Sequence, residues 1–146
     1  VKKLRWTPDV IVCSGWMSAL APLYLKKAYC DEPFFANSKI VLMVDDNEYQ
    51  KPFSTKFADK LRLEGVTNTD VRSIAGFPIG YEELMRLAVD YSDAIVYASE
   101  KVNQRVANYA ETKGKPILPY EGADDLNEVC KRQWEFYQTL QEPKNE

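Results

Sequence analysis

Cys13 and Ser14 stand at the end of one apolar run, Asp9 to Cys13, immediately before Gly15 and Trp16; Asp45, Asp46 and Glu48 close a second, Lys39 to Val44. A thiol or hydroxyl at such a turn can act as a nucleophile when a base stands beside it, and neighbouring carboxylates can hold a divalent cation against a diphosphate. The chain contains no histidine. The commonest general base and the usual activator of Ser or Cys are therefore missing, and Ser-His-Asp and Cys-His schemes are excluded. Cys13 reads as a buried structural thiol. The loop Asp45-Asp46-Asn47-Glu48 reads as a solvated acidic turn, with a metal-binding loop as the sharper alternative. No residue is assigned a catalytic or metal-ligating role, and no cofactor is implied.

These stretches must be carried on strands and helices. Asp9 to Cys13 is a continuous apolar run of the buried-strand type, and Ser14 is placed to cap a helix over Gly15 to Tyr29, which Pro22 should bend or tighten. Lys39 to Val44 is the second strand. Ser54 to Glu64 reads as a short helix closed by Gly65. After a loop marked by Gly76, Pro78 and Gly80, residues Leu84, Leu87, Ala88 and Tyr91 recur at helical spacing. Ala94 to Ala98 is the third strand; Ser99 is expected to cap a helix buried through Val102, Val106, Tyr109 and Ala110. Pro116 to Leu118 is the fourth strand. Asp124 should cap a last helix with Leu126, Val129, Cys130, Trp134, Tyr137 and Leu140 on its apolar face and Pro143 in the polar tail.

Strands alternating with helices predict a parallel sheet covered on both faces, a Rossmann-like α/β layer architecture in one domain spanning residues 1–146, with the four strands as neighbours. Val1 to Trp6 is expected as the last turn of a helix, with further strands before it. With 146 residues, 45% apolar, 28% charged and a net charge of −3, the composition is ordinary for a globular domain, and no basic cluster points to nucleic acid. Three cysteines without CxxC spacing suggest neither a disulfide framework nor zinc. No run approaches the length of a membrane span. The expectation is a cytoplasmic protein. Neither GxGxxG nor GxxxxGK[ST] occurs, so dinucleotide and P-loop binding have no warrant.

Three segments carry a resemblance. PDVIVCSGWMSALAPLYLKK is similar to the pattern P-D-x-x-H-x-H-D-W-x-x-x-L-x-P-x-Y-L, matching at Pro8, Asp9, Trp16, Leu20, Pro22, Tyr24 and Leu25. KIVLMVDDNEYQ is similar to V-x-T-I-H-N-x-x-Y-Q, matching at Val41, Tyr49 and Gln50. LMRLAVDYSDAIVYASE is similar to a helix and strand ending A-D-x-V-x-T-V-S-P, matching at Asp93 and Ser99. In this order they resemble the N-terminal half of bacterial glycogen (starch) synthases, glycosyltransferase family 5. The resemblance implies one half of a GT-B fold, transfer of glucose from ADP-glucose to an α-1,4-glucan, and a further, C-terminal domain carrying most donor contacts.

The departures fall on polar positions. Val12, Ser14 and Gly15 stand where the family pattern has two histidines and an aspartate, and Asp45 and Asp46 where it has the His-Asn pair near the donor sugar. By family position the substrate-facing residues are Ser14, Gly15, Trp16, Asp45, Asp46 and Tyr49. For Trp16 and Tyr49 plain aromatic packing is the expected role, with sugar stacking as the sharper alternative. The implied partners are ADP-glucose or an α-glucan, weakly bound, and a missing domain or chain segment. The chain alone is expected to be inactive. The alternative is a non-catalytic scaffold, or a carbohydrate- or nucleotide-sugar-binding module that retains the fold.

Overall fold

The computed structural model describes residues 6–62, 64–75, 78–122 and 125–141. The expected helical turn over Val1 to Trp6 lies outside these residues except for Trp6, as do Gly76, Asp124 and Pro143. Four parallel strands form the sheet in the order β1 (Val10–Ser14), β2 (Lys39–Val44), β3 (Ala94–Tyr97), β4 (Ile117–Leu118). Val10 pairs with Lys39, Val41 with Ala94 and Ile95 with Ile117. The helices are α1 (Ala21–Lys26), α2 (Phe57–Lys60), α3 (Tyr81–Tyr91), α4 (Gln104–Thr112) and α5 (Leu126–Thr139). The parallel Rossmann-like arrangement is the one the alternating pattern predicts.

The strands are apolar on both sides because both faces are used. Ile11, Cys13, Ile40, Leu42, Val44 and Ile95 pack with Leu23 of α1, Leu84, Met85 and Leu87 of α3 and Val106 of α4. Val10, Val41, Met43, Ala94, Val96 and Leu118 form the opposite layer with Phe136, Tyr137 and Leu140 of α5. Each fully buried Leu or Ile contributes about 1.5–3 kcal/mol.

Three polar ties fix the strand ends. Asp93 accepts the Ile40 N–H at 2.7 Å and pairs with Lys26 at 2.8 Å, joining β3, β2 and α1. The Lys115 ammonium donates to the carbonyls of Val89, Asp90 and Ser92, satisfying the free carboxyl end of α3. Burial lowers its pKa. Asp70 bonds Lys27, Thr67 and Tyr91, anchoring the loop before α3.

Several helix boundaries differ from expectation. Ser14 ends β1 instead of capping a helix. Trp16–Ser18 forms a 3-10 turn, closed by the Ser18 hydroxyl donating to the carbonyls of Ser14 and Gly15, and α1 begins anew at Ala21 with Pro22 in its first turn. Pro22 has no N–H to continue a helix from Ser18, so the restart follows from its chemistry. The helix expected over Ser54 to Glu64 is reduced to α2. Gly65 is not its terminal glycine; it sits at φ +89° against the Lys27 carbonyl, where a Cβ would come within 2.6 Å. Ser99 makes a local turn with the Lys101 N–H, and Asn103 caps α4 by accepting from Arg105 and Val106 N–H. Asp125 caps α5, accepting from Asn127 N–H.

The stripe on α5 is also rotated. Val129, Tyr137 and Leu140 face inward, but Leu126, Cys130 and Trp134 face solvent, Leu126 and Trp134 being 74% and 63% exposed. Phe136, absent from the expected stripe, takes the inward place. Arg132 reaches Glu121 at 2.6 Å and the Gly122 carbonyl at 3.1 Å, which holds the helix in that rotation.

Candidate functional site

In a parallel sheet the carboxyl ends of all strands lie on one edge, and there β1 and β2 deliver the residues singled out above. Gly15 follows β1 at φ +65°, its N–H donating to the Met43 carbonyl at 2.9 Å. The left-handed conformation suits glycine, and a Cβ there would stand 3.1 Å from Asp45 Oδ2. The Asp45 carboxylate thus lies directly over Gly15. Its other oxygen accepts the Asn47 N–H at 3.1 Å, a local turn that folds the acidic loop back across the strand ends.

Next to this contact the aromatic rings form a chain. Trp16 and Tyr49 meet at 4.9 Å between centroids, Tyr49 and Phe53 at 5.0 Å, and Phe53 stacks on Phe57 at 4.4 Å with planes 8° apart. Tyr81, the first residue of α3, meets Tyr49 edge-on at 6.1 Å. The Tyr49 hydroxyl donates to the Ile79 carbonyl at 3.1 Å. Burial, then the Glu83 carboxylate, pushes its pKa up to about 12. Glu83 itself accepts the Gly80 N–H at 3.0 Å and starts α3 at this edge.

Gly15, Trp16, Asp45 and Tyr49 therefore come together. Ser14 adjoins them through its chain position and is exposed, and Asp46 is exposed on the acidic loop. Glu48 turns away to accept from the Asn103 side chain at 3.2 Å. Among the described residues no three carboxylates, thiols or imidazoles converge as a metal-ligand set, so the metal-binding alternative for Asp45, Asp46 and Glu48 is not supported by their geometry. Cys13 is buried, and burial raises its pKa, the opposite of what a nucleophilic thiol requires.

Tyr81 was not legible as a site residue. Tyr81 is buried, with 5% exposure, and its hydroxyl has no hydrogen-bond partner among the described residues. Burial raises its pKa, followed by the charges of Glu48, Asp45 and Asp46, so the phenol stays protonated under the acidic loop. The only sequence signal is an aromatic directly after Gly80, where the loop meets the start of α3. The edge as a whole offers aromatic faces beside carboxylates. Aromatic faces stack on apolar ring surfaces, and carboxylates accept hydroxyl protons.

Over residues 1–117 the chain matches the family described as the starch synthase catalytic domain. It is 34% identical over 101 residues to a glycogen synthase of Clostridium perfringens, covering 68% of this chain and 20% of that protein. It is 29% identical over 139 residues to one of Chlorobium limicola, covering 92% and 27% respectively. A glycogen synthase of Thermotoga maritima is 39% identical over 57 residues. No solved structure matches significantly. The chain spans only a fifth to just over a quarter of the first two relatives. Among the described residues no helix is long and apolar enough to cross a membrane.

Proposed function

The chain belongs to the starch synthase catalytic domain family, and on that premise we propose that residues 1–146 are part of the N-terminal, Rossmann-like half of a GT-B glucosyltransferase of the glycogen-synthase type. The reaction of the whole protein is then transfer of glucose from ADP-glucose to an α-1,4-glucan, in the cytoplasm. The observation that supports this reading best is the meeting of family-matched positions at one edge: Asp45 over Gly15, and Trp16 against Tyr49. On this reading Ser14, Gly15, Trp16, Asp45, Asp46 and Tyr49 face the sugar, and a second domain supplies the cations that hold the diphosphate.

Transfer requires the diphosphate charge to be stabilised and the sugar to be oriented, effects worth several kcal/mol each. Residues 1–146 put carboxylates at the positions of the family's His-Asn pair, so a donor phosphate approaching Asp45 and Asp46 is repelled. The chain alone therefore has no transferase activity and binds ADP-glucose no better than millimolar. Incubation with labelled ADP-glucose and glycogen, with calorimetric titration of the nucleotide sugar, tests this. Label in polymer, or micromolar binding, would refute the inactive reading.

The second reading is a non-catalytic carbohydrate-binding or scaffolding relative. It is favoured by the loss of both histidines and the aspartate at Val12, Ser14 and Gly15. The two separate on the full-length protein: glucosyl transfer supports the first, and glucan binding without transfer supports the second.

A further inference from the structure

Arg86 lies in the middle of α3, and the carboxylates at helical spacing from it are all engaged elsewhere. Glu82, four residues before it, pairs with Arg105 at 3.3 Å. Glu83, three residues before it, accepts the Gly80 N–H at 3.0 Å. Asp90, four residues after it, accepts the Tyr109 hydroxyl at 2.9 Å and pairs with Lys113 at 2.7 Å. Positions three and four apart supply the usual ion-pair partners on a helix, so Arg86 is left without one. Its Nε–H is buried and, among the described residues, has no hydrogen-bond acceptor. Arg62, Arg105 and Arg132, by contrast, each hold a carboxylate. A buried donor left unpaired disfavours the folded state, most of all on a charged group.

The guanidinium is nevertheless held in place. Its Cζ lies over the Tyr109 ring at 5.4 Å, and the Lys113 ammonium lies over the same ring at 4.7 Å. Stacking uses the face of the planar guanidinium and leaves its in-plane N–H fork free. Arg86 lines an open cleft of about 540 Å³ together with Pro52, Ser73, Ile74, Pro78 and Glu83, a volume within the range of small-molecule sites. The walls are fixed: Phe53 and Ile79, each next to one of the two prolines, exchange backbone hydrogen bonds at 2.9 and 3.1 Å, and Ile74 is buried in the 3-10 turn Arg72–Ile74. The proline rings and Ile74 offer apolar surface, the Ser73 hydroxyl donates and accepts, and the Glu83 carboxylate accepts. A sugar has the matching two-sided character, with C–H faces and a rim of hydroxyls. Arg86 adds a bidentate donor, which suits a carboxylate or a phosphate.

We propose that this cleft binds a small polyhydroxylated molecule carrying an oxyanion, a sugar phosphate or a sugar acid, with the oxyanion on the Arg86 fork, an apolar face against Pro52 and Pro78, and a hydroxyl on Glu83. The site shares no residue with the edge at Gly15, Trp16, Asp45 and Tyr49 and does not rest on the glucosyltransferase reading. The two adjoin through Ile79, whose carbonyl accepts from the Tyr49 hydroxyl and from the Phe53 N–H. Glu83 keeps its place on the Gly80 N–H because residue 80 is glycine: a Cβ there would stand 2.8 Å from Glu83 Oε2. That contact holds the carboxylate back from Arg86 and leaves the fork to the ligand.

The test is calorimetric and NMR titration of residues 1–146 with glucose 1-phosphate, gluconate, inorganic phosphate and glucose, each carried to about 20 mM so that a Kd near 1 mM is reached. Glucose 1-phosphate or gluconate should saturate the cleft, with shifts centred on the Ser73 and Gly80 amides and the Arg86 Nε–H. Saturation by the first alone assigns a phosphate, by the second alone a carboxylate, and either supports the proposal. Arg86→Met should weaken binding by about tenfold or more; Arg86→Lys, which keeps the charge but not the fork, should weaken it less, and Lys131→Met, which removes an exposed charge from α5, should leave it unchanged. Because the unpaired Nε–H disfavours folding, Arg86→Met should keep or raise Tm while losing the ligand. If that variant does not fold, Arg86→Lys decides: weaker binding at unchanged Tm supports the proposal, and unchanged binding overturns it. No binding of either anion by 20 mM, full affinity in Arg86→Met, or glucose binding as tightly as the anions also overturns it. So does inorganic phosphate binding as tightly as glucose 1-phosphate, which leaves an adventitious ion only. Glucosyl transfer by the full-length protein with no anion bound in this cleft refutes the site and leaves the transferase reading standing.

Discussion

Replacing Asp93 by alanine tests whether a residue of the family pattern serves the fold and not the chemistry. Its carboxylate accepts the Ile40 N–H at 2.7 Å and pairs with Lys26 at 2.8 Å. Ile40 is 2% exposed, so its N–H would be left buried without an acceptor, a loss of about 1–3 kcal/mol. The Lys26 pair is open to water on both sides and adds about 0–1 kcal/mol. Asp93→Ala should therefore destabilise by about 1–4 kcal/mol, lowering Tm by roughly 2–16 °C for a domain of this size. Lys26→Met removes only the exposed pair and should cost about 1 kcal/mol or less. Urea unfolding of both variants gives the comparison. A cost below about 0.5 kcal/mol for Asp93→Ala, or equal costs for the two variants, would refute the assignment of the stabilisation to the buried amide.

Gly65→Ala should destabilise far more than Gly114→Ala in thermal unfolding: both have positive φ, costing about 1–2 kcal/mol, but only Gly65 meets backbone, the Lys27 carbonyl, within 2.6 Å of a Cβ, whereas Gly114 faces open space. Asp70 predicts a pH dependence. Burial works to raise its pKa, but bonds from Lys27, Thr67 and Tyr91 outweigh burial and hold it well below the usual carboxylate range. A depressed folded pKa means stability that is complete above the unfolded value near 4 and lost as pH falls below it; Asp70→Asn should flatten urea midpoints between about pH 5 and 2 relative to the parent. Restoring the family residues with Asp45→His and Asp46→Asn should tighten ADP-glucose binding by roughly 5- to 30-fold, from about 1 kcal/mol per carboxylate removed near a phosphate; unchanged affinity by calorimetry would show that repulsion is not what weakens it.

The strands were legible because their apolar runs are long and bounded by polar residues: Lys39 to Val44 was read to the residue, and β1 and β3 to within one. Helix starts were not, because several side chains compete to cap. Ser14 and Ser99 were plausible from type alone, yet α1 starts at Ala21 with no side-chain cap and Asn103 caps α4, and that choice depends on where the preceding strand releases the chain. The α5 stripe was misread because Trp134 and Phe136 are both large apolar groups two positions apart, and only the sheet face decides between them. At the candidate site, Gly15, Trp16, Asp45 and Tyr49 were legible as strand-end positions. Tyr81 was not, since nothing local in Gly80-Tyr81-Glu82 says that α3 begins beneath the acidic loop.

The most direct test of a carbohydrate-facing edge at Gly15, Trp16, Asp45 and Tyr49 is an amide and indole NMR titration of residues 1–146 with maltoheptaose, carried to about 20 mM so that a millimolar Kd is reached. Fast-exchange shifts concentrated at the Gly15 and Asp45 amides, the Trp16 indole and the Tyr49 amide are the expected result. Shifts confined to the exposed Trp6 and Trp134, or no shifts at that concentration, would contradict it.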